Sequence, residues 1–207
     1  MLNMLEEIKE LLRRESAAIL NIPVSEAFTQ ATDLIRKMVH ENHGKLVCSG
    51  MGKAGQIAIN IATTFSSTGT PAVFLHPSDA QHGDLGVMQE NDILLLISNS
   101  GKTREIIELV TLSKHLYHLP IIVITGNLQG ELIKHANVVI HTGSPDEVCP
   151  LGLTPTTSTT AMTVIGDILV VLMMEKIGFT AADYAKRHHG GYLGLKSRNS
   201  LFTDENT

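Results

Sequence analysis

The chain alternates short, unbroken apolar runs with longer stretches of helical spacing. Apolar runs fall at 46–48, 72–75, 93–97, 121–124 and 138–140, and helical patterns lie between them at roughly 56–67, 103–116 and 131–136. Runs that are apolar throughout read as strands covered on both faces, which is the habit of parallel sheets. The alternation therefore predicts a βαβ series with helices on both sides of one sheet. Two further helical patterns, 6–20 and 25–39, precede the series and are joined across Pro23. A long helix at about 159–176 and a shorter one from Ala181 follow it. The expected fold class is α/β, a three-layer αβα sandwich with a five-stranded parallel sheet of flavodoxin-like type.

The sharpest change of pattern comes after the third run. The apolar segment 93–97 stops at Ser98-Asn99-Ser100-Gly101-Lys102-Thr103, and helical spacing resumes at Arg104. A strand end that opens a helix presents unpaired backbone N–H groups and the positive end of the helix dipole, which suit an anion. One hydroxyl would suffice for a cap. Ser98, Ser100 and Thr103 together with Gly101 exceed that need and predict a phosphate site. In open α/β sheets, ligands sit off the C-terminal ends of the strands, where this loop falls.

The first run leads into Ser49-Gly50-Met51-Gly52-Lys53-Ala54-Gly55, whose glycines match the G-x-G-x-x-G dinucleotide pattern. That fingerprint also wants an acidic residue about 20 positions on. Here Leu75-His76-Pro77 stands in its place, and no Walker A spacing is present either. A glycine turn that lets backbone approach a sugar phosphate, with Lys53 reaching into the site, fits better. The plainer reading of Lys53 is a solvated lysine at a helix start. His82, in the polar segment 76–86, reads equally as a proton donor or as a loop histidine satisfied by Asp84. Glu147 lies in a rigid loop with three prolines. It is either a partly buried carboxylate with its pKa raised toward that of a general base, or a surface carboxylate. The adjacent His188 and His189 point different ways, which argues against a shared metal site.

Composition narrows the partners. With 207 residues, 43% hydrophobic and no Trp, the chain suits one domain with an aliphatic core. The net charge of -5 argues against a nucleic-acid partner, so an anionic substrate must be drawn by local dipoles and a few lysines. Cys48 and Cys149 form no disulfide framework, which points to a cytoplasmic protein. Charged residues interrupt the start of the chain, and the apolar stretch 164–174 is too short for a bilayer and contains Asp167, so no membrane partner is expected. The expected layout is a single domain over 1–195, with the helices of 4–40 included, and a flexible tail at 196–207.

Taken together these segments resemble the SIS (sugar isomerase) domain family, whose phosphate loop the S-x-S-G-x-T of residues 98–103 matches. The resemblance is stronger to its D-arabinose 5-phosphate isomerases. It is carried by Gly50-Met51-Gly52-Lys53, His82-Gly83-Asp84-Leu85-Gly86, the run Cys149-Pro150-Leu151-Gly152-Leu153-Thr154-Pro155-Thr156, Gly178-Phe179-Thr180-Ala181, and His188 with Gly190-Gly191. It implies an aldose–ketose isomerase interconverting D-ribulose 5-phosphate and D-arabinose 5-phosphate through an enediolate, feeding 3-deoxy-D-manno-octulosonate (Kdo) and lipopolysaccharide biosynthesis. The implied catalytic set is Lys53, Glu105, Glu147 and His188. The implied substrate-binding residues are Gly52, His82, Ser98, Asn99, Ser100, Gly101 and Thr103. No cofactor and no metal are implied, and the expected assembly is a homotetramer with sites at subunit boundaries. The chain departs from the family at Lys102, Ala54 and His189, and ends without the two CBS regulatory domains of typical members. Feedback is therefore expected to act on the isomerase domain itself, through competition by Kdo or CMP-Kdo. The alternatives are a non-catalytic phosphosugar sensor and a phosphohexulose isomerase.

Overall fold

The computed structural model describes residues 3–192, 194, 196 and 197. Its centre is a five-stranded, all-parallel sheet of β1 (Leu46–Gly50), β2 (Ala72–Phe74), β3 (Ile93–Ile97), β4 (Ile121–Thr125) and β5 (Val138–His141). The strand order is β2-β1-β3-β4-β5, and Leu46, Cys48 and Gly50 of β1 lie opposite Ile93, Leu95 and Ile97 of β3. Every residue of β1, β3 and β4 is buried, as an unbroken apolar run requires in a sheet covered on both sides.

Alternate strand positions feed two separate cores. Leu46, Cys48, Leu95, Ile97, Ile122 and Ile124 face one core. It is closed by α2 (Ala27–Ile35), α3 (Lys53–Ser67) and α6 (Thr157–Lys176). Val47, Leu94, Leu96, Ile121 and Val123 face the other, under α5 (Arg104–Leu116). This is the expected three-layer αβα sandwich, and the period of two along each strand accounts for both cores. The long helix α6 has the length and apolarity of a membrane span, and it starts two residues before the expected residue 159. In this fold Ala161, Met162, Ile165, Leu169, Val170 and Met173 are buried in the larger core.

Several local features differ from the sequence reading. The helical pattern 25–39 resolves into α2 followed by a π-helical turn at Arg36–Glu41, marked by an Asn42 N–H to Lys37 carbonyl bond of 3.0 Å. The pattern 131–136 is a 3-10 turn at Glu131–His135, a usual outcome for so short a stretch. α3 begins at Lys53, not three residues later. The loop after β2 contains a one-turn helix α4 (Pro77–Ala80) and a 3-10 turn at Asp84–Val87. α1 (Met4–Leu20) packs on α6 yet buries none of its own residues, while α7 (Ala181–Arg187) starts with a Thr180–Asp183 capping box. Most of the expected tail at 196–207 lies outside the described residues.

One buried ion pair ties β1 to β3. Asp92, fully buried, accepts the Lys45 N–H at 2.9 Å, the Lys45 ammonium at 2.7 Å and the Gln89 N–H at 2.7 Å. It aligns the starts of the two central strands. Their C-terminal ends, where the crossovers to α3 and α5 leave on opposite faces, form the topological switch point of the sheet.

Candidate active site

The loop from β3 to α5 is braced by its own hydroxyls. Ser98 Oγ lies 2.8 Å from Thr103 Oγ1 and accepts the Gly101 N–H at 3.1 Å, while Ser100 Oγ accepts the Lys102 N–H at 3.1 Å. Thr103 occupies the N-cap position of α5 but its side chain caps nothing, because it is bonded to Ser98. Among the described residues, the Arg104 and Glu105 N–H groups have no hydrogen-bond acceptor. The Thr103 hydroxyl therefore does not act as the helix cap. The first turn of α5 retains open donors and a positive dipole end, the requirement for holding a phosphate.

The neighbouring loop after β4 fixes this one from behind. The Asn99 carbonyl accepts Thr125 Oγ1–H at 3.2 Å and the Gly126 N–H at 3.1 Å; the Ser100 carbonyl accepts the Asn127 amide at 2.8 Å. Gly101, at φ 61°, stands back to back with Gly130, and a Cβ on Gly130 would lie 2.7 Å from Gly101 Cα. Both positions therefore require glycine.

A cavity of about 310 Å³ opens over this loop, within the range of about 300–1,000 Å³ usual for small-molecule sites. Ser98, Asn99, Ser100 and Thr103 form one wall; Met51, Lys53 and Ala54 form the second; Pro155, Ser158, Thr159 and Met162 from the start of α6 form the third. Gly52 N-caps α3 at φ 57°, ψ -125°, a conformation that glycine alone adopts readily. Lys53 is exposed and is the first residue of α3, where the dipole disfavours a cation. It is solvated, as the plainer reading expects, and it also lines the cavity, as the functional reading requires. A second cavity of the same size lies against Met174, Phe179 and Tyr184 and lacks the hydroxyl loop.

Glu147 is placed differently from expectation. Its Oε2 accepts the Thr156 N–H at 2.7 Å, the Thr156 hydroxyl at 2.9 Å and the Ser158 N–H at 3.3 Å, and its Oε1 accepts the Ser158 hydroxyl. The carboxylate thus caps α6 beside the cavity wall. Partial burial pushes its carboxyl pKa up, but hydrogen bonds from Ser158 and Thr156 outweigh this and hold it below the ordinary carboxylate value. The expectation of a raised pKa is corrected accordingly. The carboxylate of Glu105, a half-buried residue in the first turn of α5, forms no hydrogen bond or ion pair among the described residues.

The two histidines stand apart from the cavity wall. His82 is exposed, and its ring makes no bond to Asp84 among the described residues. His188 ends α7, where its Nδ1 lies 3.0 Å from the Tyr184 carbonyl and its ring stacks on Tyr184 at 3.7 Å. Within one chain, then, the cavity unites the hydroxyl loop after β3, Lys53 and the α6 start, with Glu147 one hydrogen bond behind. Ser158 and Thr159 were not assigned to the site from sequence, although the hydroxyl run 156–160 is visible there. Among the described residues no three His, Cys, Asp or Glu side chains converge as a metal-binding group.

The SIS domain family matches residues 38–172. Arabinose 5-phosphate isomerase KdsD of Yersinia pestis is 45% identical over 185 residues, 89% of this chain and 55% of that protein. The chain thus spans about half the length of the curated relatives it matches. Two solved structures cover nearly the same extent of fold. A Bacteroides fragilis protein described as a candidate phosphosugar isomerase involved in capsule formation is 63% identical with a TM-score of 0.90, and the match covers 92% of this chain and 100% of that one. An Escherichia coli CFT073 protein in complex with arabinose 5-phosphate is 34% identical with a TM-score of 0.80, over 89% of this chain and 97% of that one. On the family match and these relatives, the chain belongs to the SIS domain family.

Proposed function

We propose that the protein is an aldose–ketose isomerase that interconverts D-ribulose 5-phosphate and D-arabinose 5-phosphate. The observation that carries this reading is the cavity at the β1/β3 switch point, where open N-terminal donors of α5 face Lys53 and the Glu147-capped start of α6. The relatives named above support it: they include KdsD isomerases and a protein holding arabinose 5-phosphate. The phosphate binds Ser98, Ser100, Thr103 and the first turn of α5, which places the sugar carbons toward Lys53 and α6.

The reaction moves a proton between C1 and C2 through a cis-enediolate. It needs a carboxylate at carbon, proton transfer at two oxygens and a positive charge near the developing oxyanion. Glu147 is the carbon base in this proposal, ionised because its pKa is held low, with Glu105 as the runner-up. Lys53 steadies the enediolate. His188 opens the sugar ring or shuttles protons between oxygens, and His82 lines the sugar end. In a homotetramer with sites at subunit boundaries, a neighbouring subunit supplies the histidines that one chain keeps away from its own cavity. The same proposal places the protein in the cytoplasm, at the entry to Kdo and lipopolysaccharide synthesis, with CMP-Kdo as a competitive inhibitor.

The test is solvent exchange. Purified protein with arabinose 5-phosphate in deuterated buffer should form ribulose 5-phosphate and exchange the C2 proton, followed by NMR. Binding without exchange would make the protein a phosphosugar sensor. Preference for a ketohexose 6-phosphate would make it a phosphohexulose isomerase.

A further inference from the structure

A chain of hydrogen bonds outside the cavity runs from α1 to Glu147. Arg14 Nη2 donates to the Glu147 carbonyl at 3.1 Å. The next residue, Glu15, accepts the Thr157 hydroxyl on Oε1 at 2.9 Å, and Thr157 Oγ1 in turn accepts the Val148 N–H at 3.0 Å. The Glu147 carbonyl and the Val148 N–H are the two polar ends of one peptide unit. Consecutive residues of α1 therefore fix both ends of the peptide plane that follows Glu147, one directly and one through Thr157.

Two further observations set this arrangement apart from ordinary helix packing. α1 buries none of its residues, so apolar contact does not explain why its polar side chains engage this loop. Among the described residues Glu15 Oε2 is buried with no hydrogen-bond partner, a costly arrangement for a carboxylate whose one bond there is to Thr157. Thr157 itself is 1% exposed and lies between Thr156 and Ser158, the residues that hold the Glu147 carboxylate.

We infer that Arg14, Glu15 and Thr157 are positioning residues that set the orientation of Glu147 for proton transfer. This rests on the reading of Glu147 as a catalytic carboxylate. Fixing the peptide plane limits where the side chain points, and a misplacement of about 1 Å can cost up to about 10²-fold in rate.

The test compares Thr157→Val, Thr157→Ser, Glu15→Ala, Glu147→Gln and the Thr157→Val/Glu147→Gln double variant, by steady-state isomerisation of arabinose 5-phosphate and by thermal melting. Thr157→Val should lower kcat by about 10- to 100-fold, with KM within about twofold because the phosphate donors are untouched. Thr157→Ser keeps the hydroxyl and should restore wild-type kcat, while Glu15→Ala should fall between. In the Glu147→Gln background, Thr157→Val should cost little more, since both act through one group. If Thr157→Val does not fold, the smaller kcat loss expected of Glu15→Ala, again with KM unchanged, carries the test. A lowered melting temperature with unchanged kcat, a loss confined to KM, or losses that multiply in the double variant would each overturn the inference. If Glu147→Gln retains wild-type turnover, the catalytic reading of Glu147 fails and the positioning role falls with it. If Glu147→Gln is inactive but Thr157→Val and Glu15→Ala are silent, the positioning role alone is wrong.

Discussion

Replacing Glu147 by Gln separates a helix cap from a catalytic base, because the two roles predict losses of different size. The carboxylate accepts four hydrogen bonds at the start of α6. A glutamine carbonyl can take the place of Oε2 and receive the Thr156 N–H, the Thr156 hydroxyl and the Ser158 N–H. Its amide group then donates to Ser158 Oγ once that hydroxyl has turned. What disappears is the negative charge at a helix N-terminus, worth about 0.3–1 kcal/mol and up to ~2 kcal/mol when partly buried. In a chain of this length about 1 kcal/mol lowers Tm by roughly 2–4 °C. As a base the same residue supplies about 10²–10⁴-fold in rate, which is ~2.7–5.5 kcal/mol of barrier. The expected result is therefore a small fall in Tm with a large fall in kcat, read by thermal melting and by C2 proton exchange. The pH profile supplies an independent check. Because the folded pKa is lowered, the ionised form persists below the ordinary value of about 4.3. The stability that the charge contributes is present above that unfolded value and is lost as pH falls through the lowered one. The acid limb of kcat/KM should likewise lie below pH ~4.3. Turnover near wild type, accompanied only by the small fall in Tm, would make Glu147 a helix cap and pass the base role to Glu105.

Four other substitutions probe the site and its scaffold. Ser100→Ala and Thr103→Ala should raise KM and also lower kcat, because phosphate binding energy positions the reacting carbons; arabinose without its phosphate should be turned over negligibly. Gly130→Ala puts a Cβ 2.7 Å from Gly101 Cα, so the phosphate loop must shift. KM for the phosphosugar should rise about tenfold, equivalent to ~1.4 kcal/mol. Asp92→Ala leaves the Lys45 ammonium without its partner between the central strands and should cost about 3–5 kcal/mol in denaturant unfolding. Activity per folded molecule should be retained.

The parts of the fold set by local pattern were legible from the chain. β3, its hydroxyl loop and the start of α5 stood out because an apolar run, a turn and a helical period follow each other directly. The two-faced burial of the strands followed from the same runs. The role of Glu147 was not legible, because its environment comes from donors 9 and 11 residues away and from α1 more than a hundred residues earlier. Its sequence surroundings left a partly buried carboxylate with a raised pKa and a surface carboxylate both open, whereas the assembled loop partly buries it and supplies enough donors to lower the pKa. The π-helical turn at 36–41 keeps a helical hydrophobic period and is visible only in its hydrogen bonds. The start of α3 is hidden in the sequence because Lys53 is an unfavourable first residue for a helix.

The two glycine turns beside the cavity differ in their surroundings. Gly101 is wedged against Gly130, whereas around Gly52 nothing lies within 4 Å of where a Cβ would project. Sequence change is thus constrained unequally on the two sides of the ligand. On the phosphate side, a substitution in the turn must be matched by another in the loop after β4, and this couples two segments about 30 residues apart in their evolution. On the other side only the tip of the turn is open: Gly52 needs a residue able to hold φ 57°, whereas a Cβ on Gly50 or Gly55 would lie 2.7 Å from the backbone of Ala54 or Gly50. In the proposed orientation of the ligand, paired substitution is required where the phosphate sits, and a single open position, Gly52, remains in the turn where the sugar sits.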